Sequence, residues 1–529
     1  MNTPASGELY AAREPIFPRR VSGPFRRLKW WIMIVTLGIY YLTPWIRWDR
    51  GPNLPDQAVL VDLAGRRFYF FWIEIWPHEF YFVAGLLIMA GLGLFLFTSA
   101  MGRVWCGYTC PQTVWTDLFI LVERWIEGDR NARVKLHHAP WSASKVRKRL
   151  SKWTAWLLIS VATGGAWVFY FADAPTLLRD LVTLNAPIVA YTTVAILTAT
   201  TMIFGGFMRE QVCIYMCPWP RIQGAMMDDE TLTVGYRAWR GEPRAKGRAR
   251  RDMTAEAERI AAEQAELGRG APAYHSTPYP GPRRIGEVVK DDPTAAPQAL
   301  SAEDAVAAAG PGDCIDCMAC VNVCPMGIDI RNGQQMECIT CALCIDACDE
   351  VMEKIGKPRG LIDYLALADE PREKAGETPR PYWAHVLRPR TILYTAIWSL
   401  VGIAMVYALF VRPDIDLTVA AVRNPTFVTL SDGTIRNTYE LRVRNKNGEA
   451  RPFNFAVAGD LTLSLELQGS PYSTIEIPAD TTQLVRAYVD APPSSAPAQA
   501  DRTAFRFWVE DMSSGERTYE DNIFNGSTN

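Results

Sequence analysis

At 529 residues the chain is too long for one ordinary domain, and half of those residues are apolar, 18 of them Trp. Twelve Cys against five His exclude a histidine-rich metal centre and favour thiolates. The net charge of −2, with the charges segregated along the chain, makes no case for a nucleic-acid partner.

Met1–Arg27 is polar and basic, and the first apolar stretch leads into aromatics rather than a small-residue cleavage site, so no cleavable signal peptide is expected. Residues 1–29 read as a basic cytoplasmic N-terminus. Five charge-free stretches approach or exceed the roughly 20 residues that cross a bilayer. They are Trp30–Ile46, Phe80–Ala100, Trp153–Phe171 and Ala186–Met208, all within residues 30–236, and Thr391–Val411 at 391–411. Trp and Tyr flank several of them, as interfacial anchors do.

Lys and Arg concentrate before the first stretch, between the second and third, and after the fourth. Only Arg179 lies between the third and fourth. The loop after the first stretch, with Arg47, Arg50, Arg66 and Arg67, runs against this pattern. The balance still puts the N-terminus in the cytoplasm and, after five crossings, the C-terminus outside. All twelve Cys then fall on the cytoplasmic side.

Two stretches are twins. Residues 106–111 read CGYTCP and residues 213–218 read CIYMCP, each after an apolar span and an Arg, Arg103 or Arg209. Proline disfavours helix at the preceding Cys and suits the first position of a new helix. After Pro111, the residues Val114, Trp115, Leu118, Phe119, Val122, Trp125 and Ile126 repeat at helical spacing, which predicts an amphipathic helix on the membrane surface. Cys110 would cap that helix, where the dipole lowers a thiol pKa. Cys106, Cys110, Cys213 and Cys217 are thus candidates for one four-thiolate site, within one chain or across a homodimer. Zinc, an iron–sulfur cluster and Cu(I) all suit such ligands. Met208, Met216, Met226 and Met227 are compatible soft ligands, though interfacial packing is their ordinary use.

Residues 237–313 read as a linker rich in Ala, Gly, Pro, Arg and Glu, with a short charged helix at Thr254–Leu267, or with a basic membrane-surface segment around Arg244–Arg251; both can hold, and neither carries chemistry. Within 314–390, CIDCMACVNVCP at 314–325 and CITCALCIDACD at 338–349 repeat the spacing of bacterial two-cluster ferredoxins. In that arrangement the fourth Cys of each run serves the other cluster. Cys314, Cys317, Cys320 and Cys348 would hold one [4Fe–4S] cluster, and Cys338, Cys341, Cys344 and Cys324 the second. Met318 and Ala342 stand where many such motifs have Gly, and Asp349 stands where a Pro is usual. Adjacent clusters of this kind pass single electrons.

Residues 412–529 switch to period two: Tyr439, Leu441, Val443; Leu461, Leu463, Leu465, Leu467; Phe505, Phe507, Val509. About seven short strands with turns at 432–433 and 447–448 predict an antiparallel β-sandwich without Cys. His78 reads as interfacial or as a quinol contact, and His137, His138, His275 and His385 as solvated or linker residues.

Paired C-x-x-x-C-P motifs after spans, a two-cluster ferredoxin, a further span and a C-terminal β-domain together resemble the FixG/RdxA/CcoG family. GIDIRNGQQMECITC from Gly327 is especially similar to it. The resemblance implies a multi-domain inner-membrane protein: a five-helix transmembrane bundle, a small α+β ferredoxin domain in the cytoplasm and a periplasmic immunoglobulin-like sandwich. It implies an accessory protein for cbb3-type cytochrome c oxidase assembly. In it Cys106, Cys110, Cys213 and Cys217 bind copper and the clusters deliver electrons that reduce Cu(II) to Cu(I). The implied partners are a cytoplasmic electron donor and a copper transporter, chaperone or oxidase assembly factor. A quinol-linked carrier of the NapH or NosR type, or a redox-sensing scaffold, are the alternatives; the β-domain argues for the first reading.

Overall fold

A computed structural model describes residues 15–51, 54–266, 310–411, 415–446, 448–479 and 481–527. The chain forms two compact units, one made of residues 1–46, 59–68 and 75–402, the other of residues 47–58, 69–74 and 403–529. His275, most of the linker's second half and the turn residue 447 lie outside the described residues.

Three described helices are long and apolar enough to cross a membrane: Tyr81–Met101, Ile188–Phe207 and Pro389–Val411. They carry the second, fourth and fifth predicted spans. The first and third fall in helices Pro24–Leu42 and Ala143–Val168, whose opening turns are charged by Arg26, Arg27 and Lys29 and by Lys145, Arg147, Lys148, Arg149 and Lys152. A five-helix bundle is therefore not established by length and composition. The first helix also stops at Leu42, short of the predicted Ile46, because the chain passes into a tight turn around Pro44. Glycine permits close helix packing: a Cβ on Gly164 would lie 2.9 Å from the Val194 carbonyl oxygen.

The helix after Pro111 forms, as Pro111–Glu127. Its predicted burial is only partly right. Val114 and Phe119 are buried, but so are Asp117, Glu123 and Glu127, while Trp125 is exposed. The charged face is packed inside the protein, so this is not a helix lying on a surface by its apolar stripe. Glu123 meets Arg209 at 3.0 Å and pairs with Arg133; Glu127 meets Lys152 at 3.0 Å and Arg149 at 3.1 Å. Asp117 meets Arg26 at 2.9 Å.

Thr233–Tyr236 pairs antiparallel with Ile362–Leu365, so a strand from before the linker completes the ferredoxin fold. Ala238–Gly241 and Gly247–Glu266 are helical. The ferredoxin core holds helices Ala319–Val323 and Leu343–Lys354.

The C-terminal unit carries two antiparallel sheets. One has the order Ser464–Leu467, Thr482–Ala491, Ile435–Asn445, Ile415–Ala421, with Val428–Thr429 also on Ile435–Asn445; the other has Thr474–Ile477, Arg451–Ala458, Arg502–Asp511, Arg517–Asn525. Tyr439, Leu441, Val443, Phe505, Phe507 and Val509 point into one apolar core, as period two requires. The leucine run is different. Leu461 is exposed and the strand begins only at Ser464, because Asp460 closes a turn by accepting from the Thr462 amide at 2.9 Å.

Candidate redox and metal site

Both twin motifs enter the site through irregular helix ends. Gly102, at φ 58°, ends the Tyr81–Met101 helix, and a short helix Val104–Tyr108 carries Cys106. Cys110 is extended at ψ 128° and occupies the N-cap of the Pro111 helix, without a side-chain cap bond. In the second copy, π-helical turns Met202–Phe207 and Val212–Met216 flank Arg209. Such turns often mark functional positions. Cys217 is extended at ψ 124°, and the helix Trp219–Met226 follows Pro218. Gln112 ties the copies together by donating to the Phe204 carbonyl at 2.8 Å and the Arg209 carbonyl at 3.3 Å.

The four thiols of a single chain fall within electrostatic reach of one another. Burial pushes the Cys213 thiol up to about 12, and Cys110, Cys106 and Cys217 push it further in the same direction. Burial also raises Cys106, opposed by the Arg103 guanidinium. Cys106 donates to Gln223 Oε1 at 3.1 Å, and Gln223 Nε2 in turn donates to Thr98 Oγ1 at 3.3 Å. Protonated thiols of this kind release protons when a soft cation binds. Among the described residues no three His, Cys, Asp or Glu converge as ligands of one metal ion. Of the neighbouring methionines, Met226 is buried in packing and Met216 is exposed.

The thiol hairpins lie against the second ferredoxin run. A Cβ on Gly107 would stand 2.6 Å from the Ile339 carbonyl oxygen and 3.0 Å from Cys341 Cα, so only glycine allows this approach. Tyr108 donates to the Cys341 carbonyl at 3.2 Å, and Arg103 donates to the Met336 carbonyl. Cys106, Cys213, Cys324, Ile339, Cys341 and Cys344 share one apolar cluster. Asp346 of the second run accepts from the amides of Phe25 at 3.3 Å and Arg26 at 2.7 Å, capping the first helix. The one sequence signal for this cap is a lone acid inside a cysteine run.

Two cavities organise the eight ferredoxin thiols. One, with about 360 Å³ of empty space, is lined by Cys314, Cys317, Cys320 and Cys348 together with Ile315, Met352 and Leu361. The other, with about 380 Å³, is lined by Cys324, Cys338, Cys341 and Cys344, with Cys320, Ile328 and Leu343. The first thus offers four thiols and the second the other four, with Cys320 shared between the two linings, a donor set that fits two [4Fe–4S] clusters. Cluster thiolates bind different irons and so stand farther apart than the ligands of a single ion.

The backbone repeats between the runs. Asp316 and Met318 around Cys317, and Thr340 and Ala342 around Cys341, all take positive φ between 50° and 58°. Non-glycine residues adopt this conformation at a cost of roughly 1–2 kcal/mol each. Successive turns of this kind aim amides into a concavity that suits anionic sulfur. Met318 and Ala342 therefore hold the left-handed conformation that glycine usually supplies in such motifs.

His385 is not solvated. It is 1% exposed, with Nδ1 2.8 Å from Glu230 Oε2 and Nε2 2.9 Å from Asp369 Oδ2. Arg380 bonds both carboxylates, so the group braces the segment before the Pro389 helix. His137 and His138 are exposed, as expected.

Comparison with known proteins matches residues 208–268 and 279–366 to a 4Fe-4S dicluster domain, residues 82–129 to a 4Fe-4S binding domain, and residues 405–527 to the IG-like fold at the C-terminal of FixG. The first two matches take in both C-x-x-x-C-P motifs. The chain is 61% identical to protein RdxB of Cereibacter sphaeroides over 99% of its length and 98% of that protein's. It is 58% identical to RdxA of the same organism, over 97% of this chain and 96% of that one. It is 49% identical to the nitrogen fixation protein FixG of Rhizobium meliloti, over 98% and 94%.

Proposed function

The chain belongs to the FixG/RdxA family of iron–sulfur redox proteins, and from that premise we propose that it reduces Cu(II) to Cu(I) for assembly of cbb3-type cytochrome c oxidase. The observation that carries the reading is the seating of the first thiol motif on the second ferredoxin run at Gly107 and Cys341, with Cys213 of the second motif in the same apolar cluster. Cys314, Cys317, Cys320 and Cys348 hold one [4Fe–4S] cluster, and Cys338, Cys341, Cys344 and Cys324 the other. When bound, the clusters supply single electrons. Copper is the substrate: each Cu(II) takes one electron at Cys106, Cys110, Cys213 and Cys217 and leaves as Cu(I), which thiolates prefer. Cys106 and Cys213 are half-buried against the apolar cluster around Ile339, which leaves the thiols open to an incoming ion.

In this reading the helices Pro24–Leu42 and Ala143–Val168 cross the inner membrane beside the three apolar ones. Their exposed apolar residues, such as Ile39 and Leu158, support it. The N-terminus and ferredoxin part lie in the cytoplasm and the sandwich in the periplasm. A cytoplasmic donor brings the electrons, and a copper transporter, chaperone or assembly factor takes the product.

One observation favours a second occupant. The 4Fe-4S family matches cover both motifs. That suits a further iron–sulfur cluster at the same four thiols. The test separates the two. Anaerobically reduced protein is given Cu(II), and Cu(I) is followed with a cuprous chelator, beside iron and copper analysis. Wild type is expected to generate Cu(I), and the variant with all four cysteines changed to Ser to lose that activity while keeping its iron. Equal copper reduction by the variant overturns the copper reading. Loss of iron together with the four thiols supports the cluster.

A further inference from the structure

The two ferredoxin runs meet different surroundings. Gly107, Tyr108 and Arg103 all contact the second run. The first run opens outward: among the twelve cysteines Cys317 is the one exposed thiol, and Met318 beside it is 38% exposed. Electron transfer weakens steeply with distance, so an exposed ligand sulfur is the short way in from solution.

Basic residues flank that edge. Arg250 donates to the Cys314 carbonyl at 3.3 Å, which places the first turns of helix Gly247–Glu266 at the loop of the first run. Lys246, Arg248 and Arg251 are exposed there. Asp252 meets Arg248 only at 3.8 Å across an exposed pair, which neutralises little. Asp316 is taken up by Arg331 at 2.6 Å. A small apolar centre at Met318 on a loop with a basic turn beside it is the pattern of a transient, electrostatically steered contact.

We propose that the Cys317–Met318 edge and the Lys246–Arg251 turn form the docking surface for the electron donor, and that this donor is a small acidic one-electron carrier of the flavodoxin or ferredoxin class. Each encounter oxidises the carrier by one electron and reduces the ferredoxin centres by one; no bond is made or broken. The proposal rests on the electron-transfer reading and not on copper.

The test uses the full chain in nanodiscs, without copper. Flavodoxin hydroquinone is mixed with oxidised protein, and bleaching of the iron–sulfur absorbance is followed by stopped flow. Binding of oxidised flavodoxin, measured by calorimetry, gives a readout without turnover. The variant K246E/R248E/R251E leaves Arg250 on its loop carbonyl. Its second-order rate and its affinity are expected to fall about tenfold or more at low salt, and the difference to vanish at high salt. Reduction by photogenerated deazaflavin radical is expected to match wild type, which shows intact clusters. An unchanged rate, salt slope and affinity overturn the proposal. A rate loss that appears only in anionic nanodiscs, whatever the carrier's charge, assigns the basic turn to the lipid surface and also overturns it.

Discussion

In the C-terminal sandwich the fully buried large side chains include Tyr439, Leu441, Phe453, Phe507, Phe524 and Ile477. In the cysteine-bearing unit they include Arg133, with Glu123, Glu127, Lys152 and Arg26 nearly as deep. The sandwich is stabilised by apolar area, at roughly 1.5–3 kcal/mol for each large side chain buried. The cysteine unit has apolar clusters too, but it also buries ions and thiols among them. Buried ion pairs give little net stability because desolvation offsets their attraction. Metal ligation then adds to what these apolar clusters supply, because a bound cluster's free energy is also folding free energy.

Stripping the iron is the largest perturbation of that contrast. With eight thiols around two cavities and four non-glycine residues in left-handed turns, the ferredoxin run loses its ordering centre when the clusters go. Oxidative chelation followed by limited proteolysis is expected to open 314–366 fully and to leave the sandwich resistant, with two separate thermal transitions. A single transition that moves as a whole would break the comparison.

Replacing Glu123 by Gln comes next. Arg209, Arg133 and Lys152 hold the Glu123 carboxyl below the usual carboxylate range against the opposing effect of burial. Because the folded value is depressed, its contribution is complete above about pH 4.5 and is lost as pH falls through the folded value. Removing the charge strands three buried cations, at a cost of about 3–5 kcal/mol at neutral pH. Denaturation of the cysteine unit should show this loss at pH 7, with wild type approaching the variant only in acid. Equal stability at pH 7 would mean the charges are solvated after all.

That same contrast governs what could be read before the structure. The ferredoxin run and the twin motifs are legible because their spacing is local, and chain geometry turns local spacing into ligand geometry. The sandwich alternation is legible at Tyr439–Val443 and Phe505–Val509 because one face of each strand is apolar. At the Pro111 helix the apolar spacing predicts a surface helix, but Asp117, Glu123 and Glu127 are buried as well. Arg26, Lys152 and Arg209 reach them from distant parts of the chain and Arg133 from the next helix, and no periodicity marks these pairs. His385 was misread for the same reason, since Glu230 lies 155 residues away. The strand Thr233–Tyr236 was missed because four residues carry no pattern until Ile362–Leu365 pairs with them.

The smallest perturbation asks whether every buried acid here acts as a charge. Asp346 accepts from the first two amides of the Pro24–Leu42 helix, and a Cβ on the adjacent Gly23 would collide with it at 2.3 Å. Burial raises its pKa, with the Arg26 and Phe25 amides opposing. A raised carboxylate is disfavoured as an anion in the fold, the reverse of Glu123. It is used as an acceptor twice, one carboxylate oxygen facing each amide. Asp346→Asn keeps one of the two acceptors and sets an NH2 against the other amide, so it should lose part of the cap's stabilisation at pH 7. Asp346→Ala removes both and should cost about 1 kcal/mol, the usual worth of a helix cap. Chemical denaturation of both variants, read by the iron–sulfur absorbance, checks the order. A loss in the Asn variant equal to that in the Ala variant would put Asp346 with Glu123, as one more charge held inside.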